Sequence, residues 1–168
     1  HFQISRNQKI KDVPMIRTMS PFSAYTEGWA LYSEQLAAKD MGLYKDDPMG
    51  DLGRLQAEMF RAVRLVVDTG LHHKRWSRER AIDYMSSKTG MSNAEVTREI
   101  ERYVVWPGQA TAYKTGQLAI SKMRDRAEAE LGDSFDLKAF NETLLKSGAM
   151  PLGILEREVN RWIDAQKG

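Results

Sequence analysis

Apolar positions along this chain recur at intervals of three and four, the period of a helix face. Ser20-Pro21 reads as a helix N-cap followed by proline at the first helical position, and Gly42 closes the segment. Tyr25, Trp29, Tyr32 and Leu36 form one stripe inside it. Asp47-Pro48 repeats the start signal, and Leu52, Leu55, Met59, Ala62 and Val66 mark the expected buried face of a second long helix ending near Gly70. A third helix is predicted from Ser77 to about Lys88, ahead of Gly90. Ser92-Asn93-Ala94-Glu95 is a capping box opening a fourth, which should carry Val96, Ile100, Tyr103 and Val104 inward. Pro107-Gly108 interrupts it, and a fifth helix runs from about Gln109 to Leu131, stopping at Gly132. Asp136 caps a sixth (Leu137, Phe140, Leu144) that ends at Gly148, and Pro151 opens a seventh (Leu152, Leu155, Val159, Trp162). No alternating run bounded by hairpin turns predicts a strand. The expected fold is therefore an all-α multi-helix bundle, a single helical domain over residues 1–168.

Composition narrows the function classes. The 25 Lys and Arg against 23 Asp and Glu leave a net charge of +2, too balanced for a nucleic-acid or anionic-lipid binder. Mean hydropathy is negative and no apolar run is long enough for a membrane span. With no cysteine, disulfides, thiolate metal sites and thiol catalysis are excluded, so a metal would need His and carboxylates. The histidines are His1, His72 and His73. The opening His1-Phe2-Gln3-Ile4 has neither Met nor signal peptide, and the expectation is a C-terminal portion of a longer chain.

Three places put polar groups among apolar ones. Glu27 and Glu34 share one helix face beside Tyr25, Trp29 and Tyr32. Such a carboxylate is either a solvated helix edge or a desolvated group needing a proton, a partner or a metal. Arg54, Glu58, Arg61, Asp68 and His72 form a polar line, either an exposed ion-pair ladder or a buried network orienting His72. Asp68 would touch His72 only if the helix continues through Gly70. The segment from Glu101 to Tyr113 crowds polar and aromatic residues around Pro107, either as an interhelix corner or as a site. No phosphate loop, nucleophile elbow or nucleic-acid-binding motif is present.

The segments Tyr25–Glu34, Arg61–His72 and Arg102–Tyr113, in that order, resemble the bacterial family called domain of unknown function 885. The resemblance extends to the Phe135-Asp136-Leu137 and Gly148–Leu152 regions. That family is similar to helical zinc metallopeptidases of the gluzincin type, such as thimet oligopeptidase and angiotensin-converting enzyme. Its motif His-Glu-Ala-x-Pro-Gly-His-His-x-Gln is matched here only by its last three residues, His1-Phe2-Gln3, without the His-Glu pair. The resemblance implies a Zn²⁺-dependent, peptidase-like hydrolase acting on peptide substrates through metal-activated water. It implies His1 and Glu27 as metal ligands, and His72, Tyr103 and Tyr113 as catalytic oxyanion donors. Arg102 would bind a substrate carboxylate, with Glu34 and Asp68 standing behind the reacting groups to orient them. It further implies partnership with the N-terminal part of the same protein, inactivity of this portion alone, and a periplasmic or lipid-anchored location. The alternative is a non-catalytic helical scaffold or binding module that keeps the family core without the metal helix.

Overall fold

The structure is a computed structural model describing residues 1–168 apart from Asp12, Ser20 and Pro21, with Thr18 described by its backbone alone. The described residues form α1 (Phe2–Asn7), α2 (Met15–Met19), α3 (Ser23–Lys39), α4 (Pro48–His72), α5 (Arg78–Thr89), α6 (Asn93–Val105), α7 (Ala112–Leu131), α8 (Leu137–Leu145) and α9 (Leu152–Lys167). Short 3-10 turns occupy Gln109–Thr111 and Gly132–Ser134, and among the described residues there is no strand. The all-α expectation holds. The short α1 and α2 were not predicted. The proposed start of the first long helix at Ser20-Pro21 lies outside the described residues.

Local chemistry explains the helix ends. Asp47 accepts the Gly50 N–H at 2.9 Å with Pro48 at the first helical position, and the Ser77 hydroxyl accepts the Arg80 N–H at 3.2 Å. Ser92 and Glu95 exchange both bonds of the capping box, at 3.2 and 3.3 Å. Asp136 caps α8 through the Lys138 and Ala139 N–H groups. Gly42, Gly90, Gly132 and Gly148 follow helix ends in the left-handed conformation.

The chain divides into two compact units. Unit 1 comprises residues 1–30 and 116–168. Here α8 packs on α9, and α1 on α8. Phe135, Phe140 and Trp162 form an aromatic cluster with centroids 5.9 to 6.4 Å apart, beside buried Leu144, Leu155, Val159 and Ile163. The Asn7 side chain ties two segments, donating to the Arg17 carbonyl at 3.1 Å and accepting the Ala149 N–H at 3.0 Å. Tyr25 donates its hydroxyl to the Leu144 carbonyl at 2.8 Å. The first turns of α3 cross α7 at Gly28 and Gly116, so closely that a Cβ on Gly28 would lie 2.5 Å from the Gly116 backbone. A Cβ on Gly116 would collide with the Ala24 carbonyl oxygen.

Unit 2 comprises residues 31–115, with α4, α5 and α6 packed on one another. Its core is Val63, Val67, Ala81, Met85, Val96, Ile100, Tyr103 and Ala110, flanked by Phe60, Leu71 and Trp76. Two expectations are corrected here. The predicted buried stripe of α4 faces outward: Leu52 is 56% exposed and Met59 51%, with Leu55 and Val66 also exposed. A second stripe, Phe60, Val63, Val67 and Leu71, carries the core contacts, because α5 and α6 lie on that side, and the turn that follows α6 brings Gln109 and Gly108 as hydrogen-bond partners for the Arg64 and Asp68 beside it. Val104 is exposed as well, since it lies a helical step of about 100° beyond inward-facing Tyr103.

The glycines give the first prediction. Gly116→Ala should destabilise by about 1–3 kcal/mol or more, because backbone cannot yield to the added methyl. Gly53→Ala, at an open position inside α4, should stabilise by about 0.5–1 kcal/mol through lost chain entropy. Urea-unfolding midpoints of the two variants should move in opposite directions.

Candidate functional site

The polar line on α4 divides into two parts of different character. Toward its start it is an ion-pair ladder: Arg54 bonds Asp51 at 2.6 Å and Glu58 at 3.1 Å, and Lys114 bonds Glu58 at 2.6 Å. Toward its end Asp68 is buried and His72 exposed, each bonded to the backbone of another segment. Asp68 and His72 do not pair, although α4 continues through Gly70 as their contact would require. Both Asp68 oxygens instead accept the Gly108 N–H at 3.1 Å, and His72 Nε2 lies 2.9 Å from the Tyr103 carbonyl oxygen. The reason is that α4 ends against the α6–α7 corner, which supplies the Gly108 N–H and the Tyr103 carbonyl, the latter also accepting the Trp106 N–H at 3.2 Å.

That corner positions the rest. α6 stops at Val105 before Pro107, and Gly108 takes φ 82°, a conformation that favours glycine. The chain then turns through Gln109–Thr111 into α7, placing Tyr113 in its first turn. At the centre lies Arg64, 4% exposed. Its guanidinium sits 4.3 Å from the Tyr113 ring centre, 5.3 Å from Tyr103 and 5.5 Å from Phe60. Cation–π contacts of this kind contribute about 0.5–2 kcal/mol, rising with desolvation. In the guanidinium plane, Arg64 has one hydrogen bond, from Nη2 to Gln109 Oε1 at 3.3 Å, and its buried Nε has no partner among the described residues.

Arg102 converges on the same oxygen, Nη1 donating to Gln109 Oε1 at 3.0 Å while Nη2 bonds Glu99 at 2.7 Å. The Tyr103 hydroxyl donates to the same Glu99 oxygen at 2.6 Å. Burial pushes the Glu99 carboxyl up, but the Arg102 and Tyr103 hydrogen bonds and the nearby Arg102 and Arg64 charges prevail and hold it below its ordinary value. Burial, then the bond to Glu99, raises the Tyr103 phenol, so it is a neutral donor at physiological pH. The Tyr113 hydroxyl has no hydrogen bond among the described residues.

The structure thus gathers Arg102, Tyr103, Tyr113, Asp68 and His72 in unit 2. Glu34 is exposed on the part of α3 belonging to that unit. His1 and Glu27 belong to unit 1. His1 is exposed at the start of α1, and Glu27 is half-buried beside the Gly28 crossing with no hydrogen bond or ion pair among the described residues. Among the described residues no three His, Asp or Glu side chains group closely enough to hold a metal, so His1 and Glu27 do not complete a zinc site here. Arg64, Glu99 and Gln109 were not among the predicted site residues, although Gln109 lies in the polar and aromatic segment singled out around Pro107. Glu99 had a local signal, standing three and four residues before Arg102 and Tyr103.

The chain matches, over residues 1–159, the family described as "Bacterial protein of unknown function (DUF885)". It belongs to the DUF885 family. A solved structure, "the putative lipoprotein from Colwellia psychrerythraea", is 57% identical with a TM-score of 0.95, the match covering 98% of this DUF885 chain. It covers 28% of the Colwellia chain, so the present chain spans little more than a quarter of that protein. Comparison with curated proteins finds no match.

The network predicts a pH response. A carboxyl lowered on folding adds stability above its ordinary value of 4.5 and loses it as pH falls through the lower folded value. Glu99→Gln should therefore lower the urea midpoint at about pH 6, and the difference from wild type should shrink at about pH 3. An equal loss at both pH values would mean that the charge of Glu99 is not what stabilises the cluster.

Proposed function

We propose that the full-length protein is a zinc-dependent, peptidase-like hydrolase, to which this chain contributes the substrate-holding side of the site. The observation that carries the reading is the cluster of Tyr113, Arg102 and Arg64, a hydroxyl and two guanidiniums brought together where α4 packs on the α6–α7 corner. The resemblance of the DUF885 segments to gluzincin peptidases supports the reaction class. Bound zinc would polarise a scissile carbonyl and activate water. His1 and Glu27 are proposed to contribute to its coordination together with groups outside this chain.

In this reading the Tyr113 hydroxyl donates to developing negative charge on the substrate carbonyl oxygen. Its freedom from any hydrogen bond in the described chain suits that task better than the Tyr103 hydroxyl, which Glu99 already engages. His72, with one ring nitrogen at the Tyr103 carbonyl, keeps the other for a substrate group. Arg102 holds a substrate carboxylate, and Asp68 keeps the corner in place. The name of the Colwellia relative suggests a lipid-anchored or periplasmic location; among the described residues no helix is long and apolar enough to cross a membrane.

A second reading, a non-catalytic helical scaffold, is favoured by the way Glu99, Arg102, Tyr103 and Gln109 engage one another. Two substitutions in the full-length protein separate the readings. Glu27→Ala should remove stoichiometric zinc and peptide hydrolysis together, and full zinc occupancy in that variant would falsify the metal assignment. Tyr113→Phe should leave zinc content and thermal stability near wild type while kcat falls about 10²-fold and KM changes little. An unchanged kcat would remove Tyr113 from the reaction, and absence of both zinc and turnover in wild type would favour the scaffold.

A further inference from the structure

Among the described residues Arg64 is a buried cation without an ion-pair partner. No carboxylate among the described residues lies within ion-pair distance of it, and only its long bond to Gln109 uses its in-plane donors. Asp68, one helical turn away, offsets the formal charge but turns both oxygens to the Gly108 N–H. Aromatic rings attract a guanidinium through its faces and leave its N–H groups unsatisfied. Arg102, part-exposed, aims a second guanidinium at the same Gln109 oxygen. Two guanidiniums therefore meet on one neutral amide oxygen, an arrangement whose natural complement is a carboxylate accepting several charge-assisted bonds.

We propose that Arg64 and Arg102 form a carboxylate-binding site for peptide ligands, in which Gln109 Oε1 occupies the anion's place and is displaced on binding. The Tyr113 ring covers one face of the Arg64 guanidinium at 4.3 Å, so a carboxylate would meet its edge, where Gln109 now sits. The part-exposed Arg102 provides the approach, and the enclosed Arg64 supplies charge from behind. The identity of the ligand as a peptide rests on the hydrolase reading, whereas the site itself needs neither metal nor turnover. Occupation by Gln109 lowers the apparent affinity by the fraction of time the site is closed to ligand.

The test is calorimetric titration of the full-length protein, with chelator present, using three probes: N-acetyl-dialanine, its C-terminal amide, and an N-acetylated dipeptide amide carrying a glutamate side chain. The free acid should bind saturably and the dialanine amide should not. Comparison with the glutamate probe tells a C-terminal from a side-chain carboxylate, and binding of either carboxylate supports the site. Arg102→Ala should weaken binding about tenfold or more, the loss of one charged hydrogen-bonding partner. Arg64→Lys should weaken it similarly, and if that variant fails to fold by circular dichroism, Arg102→Ala and Gln109→Ala decide. Gln109→Ala should tighten binding, which loss of a merely structural amide would not do. Equal binding of acid and amide, or no binding to either folded wild type or folded Gln109→Ala, would overturn the proposal. Because zinc is absent throughout, failure here leaves the hydrolase reading to its own test.

Discussion

The site in unit 2 depends on one hydrogen-bonded contact, between the Asp68 carboxylate and the Gly108 N–H. A buried carboxylate is costly unless its oxygens are occupied, and the left-handed turn at Gly108 supplies a backbone donor at the required place. Holding that N–H also holds the entrance to α7. The turn from Gln109 to Thr111 brings Gln109 to both guanidiniums, and the first turn of α7 lays Tyr113 against Arg64. His72 at the Tyr103 carbonyl holds the same corner from the end of α4. One helix end thus serves both as a structural stop and as the mount for the polar cluster.

The enclosure of Arg64 explains why an arginine suits the position. A planar guanidinium offers its faces to Phe60, Tyr103 and Tyr113 while its N–H groups point outward in the plane. A lysine ammonium has no such face and would lose its hydration without equivalent recompense. Glu99 performs a different task nearby, binding Arg102 and the Tyr103 hydroxyl together, so that the second guanidinium and the phenol are held by the same helix. The result is a rigid polar surface with a buried positive charge behind it.

Rigidity in unit 1 has another origin. At the crossing of Gly28 and Gly116 the two backbones approach within the distance that a side chain would occupy. Close-packed backbone has no rotamer to relax through, so sterics hold this part of α3 in addition to the Tyr25 hydrogen bond to Leu144. Glu27 precedes Gly28 directly, which places a half-buried carboxylate on a firmly held stretch of helix.

Helix type and most helix ends were legible in the sequence because the forces that set them are local. Asp47, Ser77, Ser92 with Glu95, and Asp136 bond N–H groups two to three residues away, and Gly90 and Gly132 accept a backbone conformation other residues avoid. The short α1 and α2 gave no periodic signal, since six and five residues make too few turns to show a face. On α4 two apolar stripes satisfy the same period, and periodicity alone cannot choose between them. The choice came from α5, α6 and the corner at Gly108, which covered Val63 and Val67 and left Leu52 and Met59 outside. Asp68 likewise looked toward His72 by spacing, yet its partner lies 40 residues along the chain. Residue order alone was enough to set the long helices and their caps, whose hydrogen bonds close within one turn. Which faces are buried and which charges meet was settled by packing, because those contacts join segments far apart in the chain.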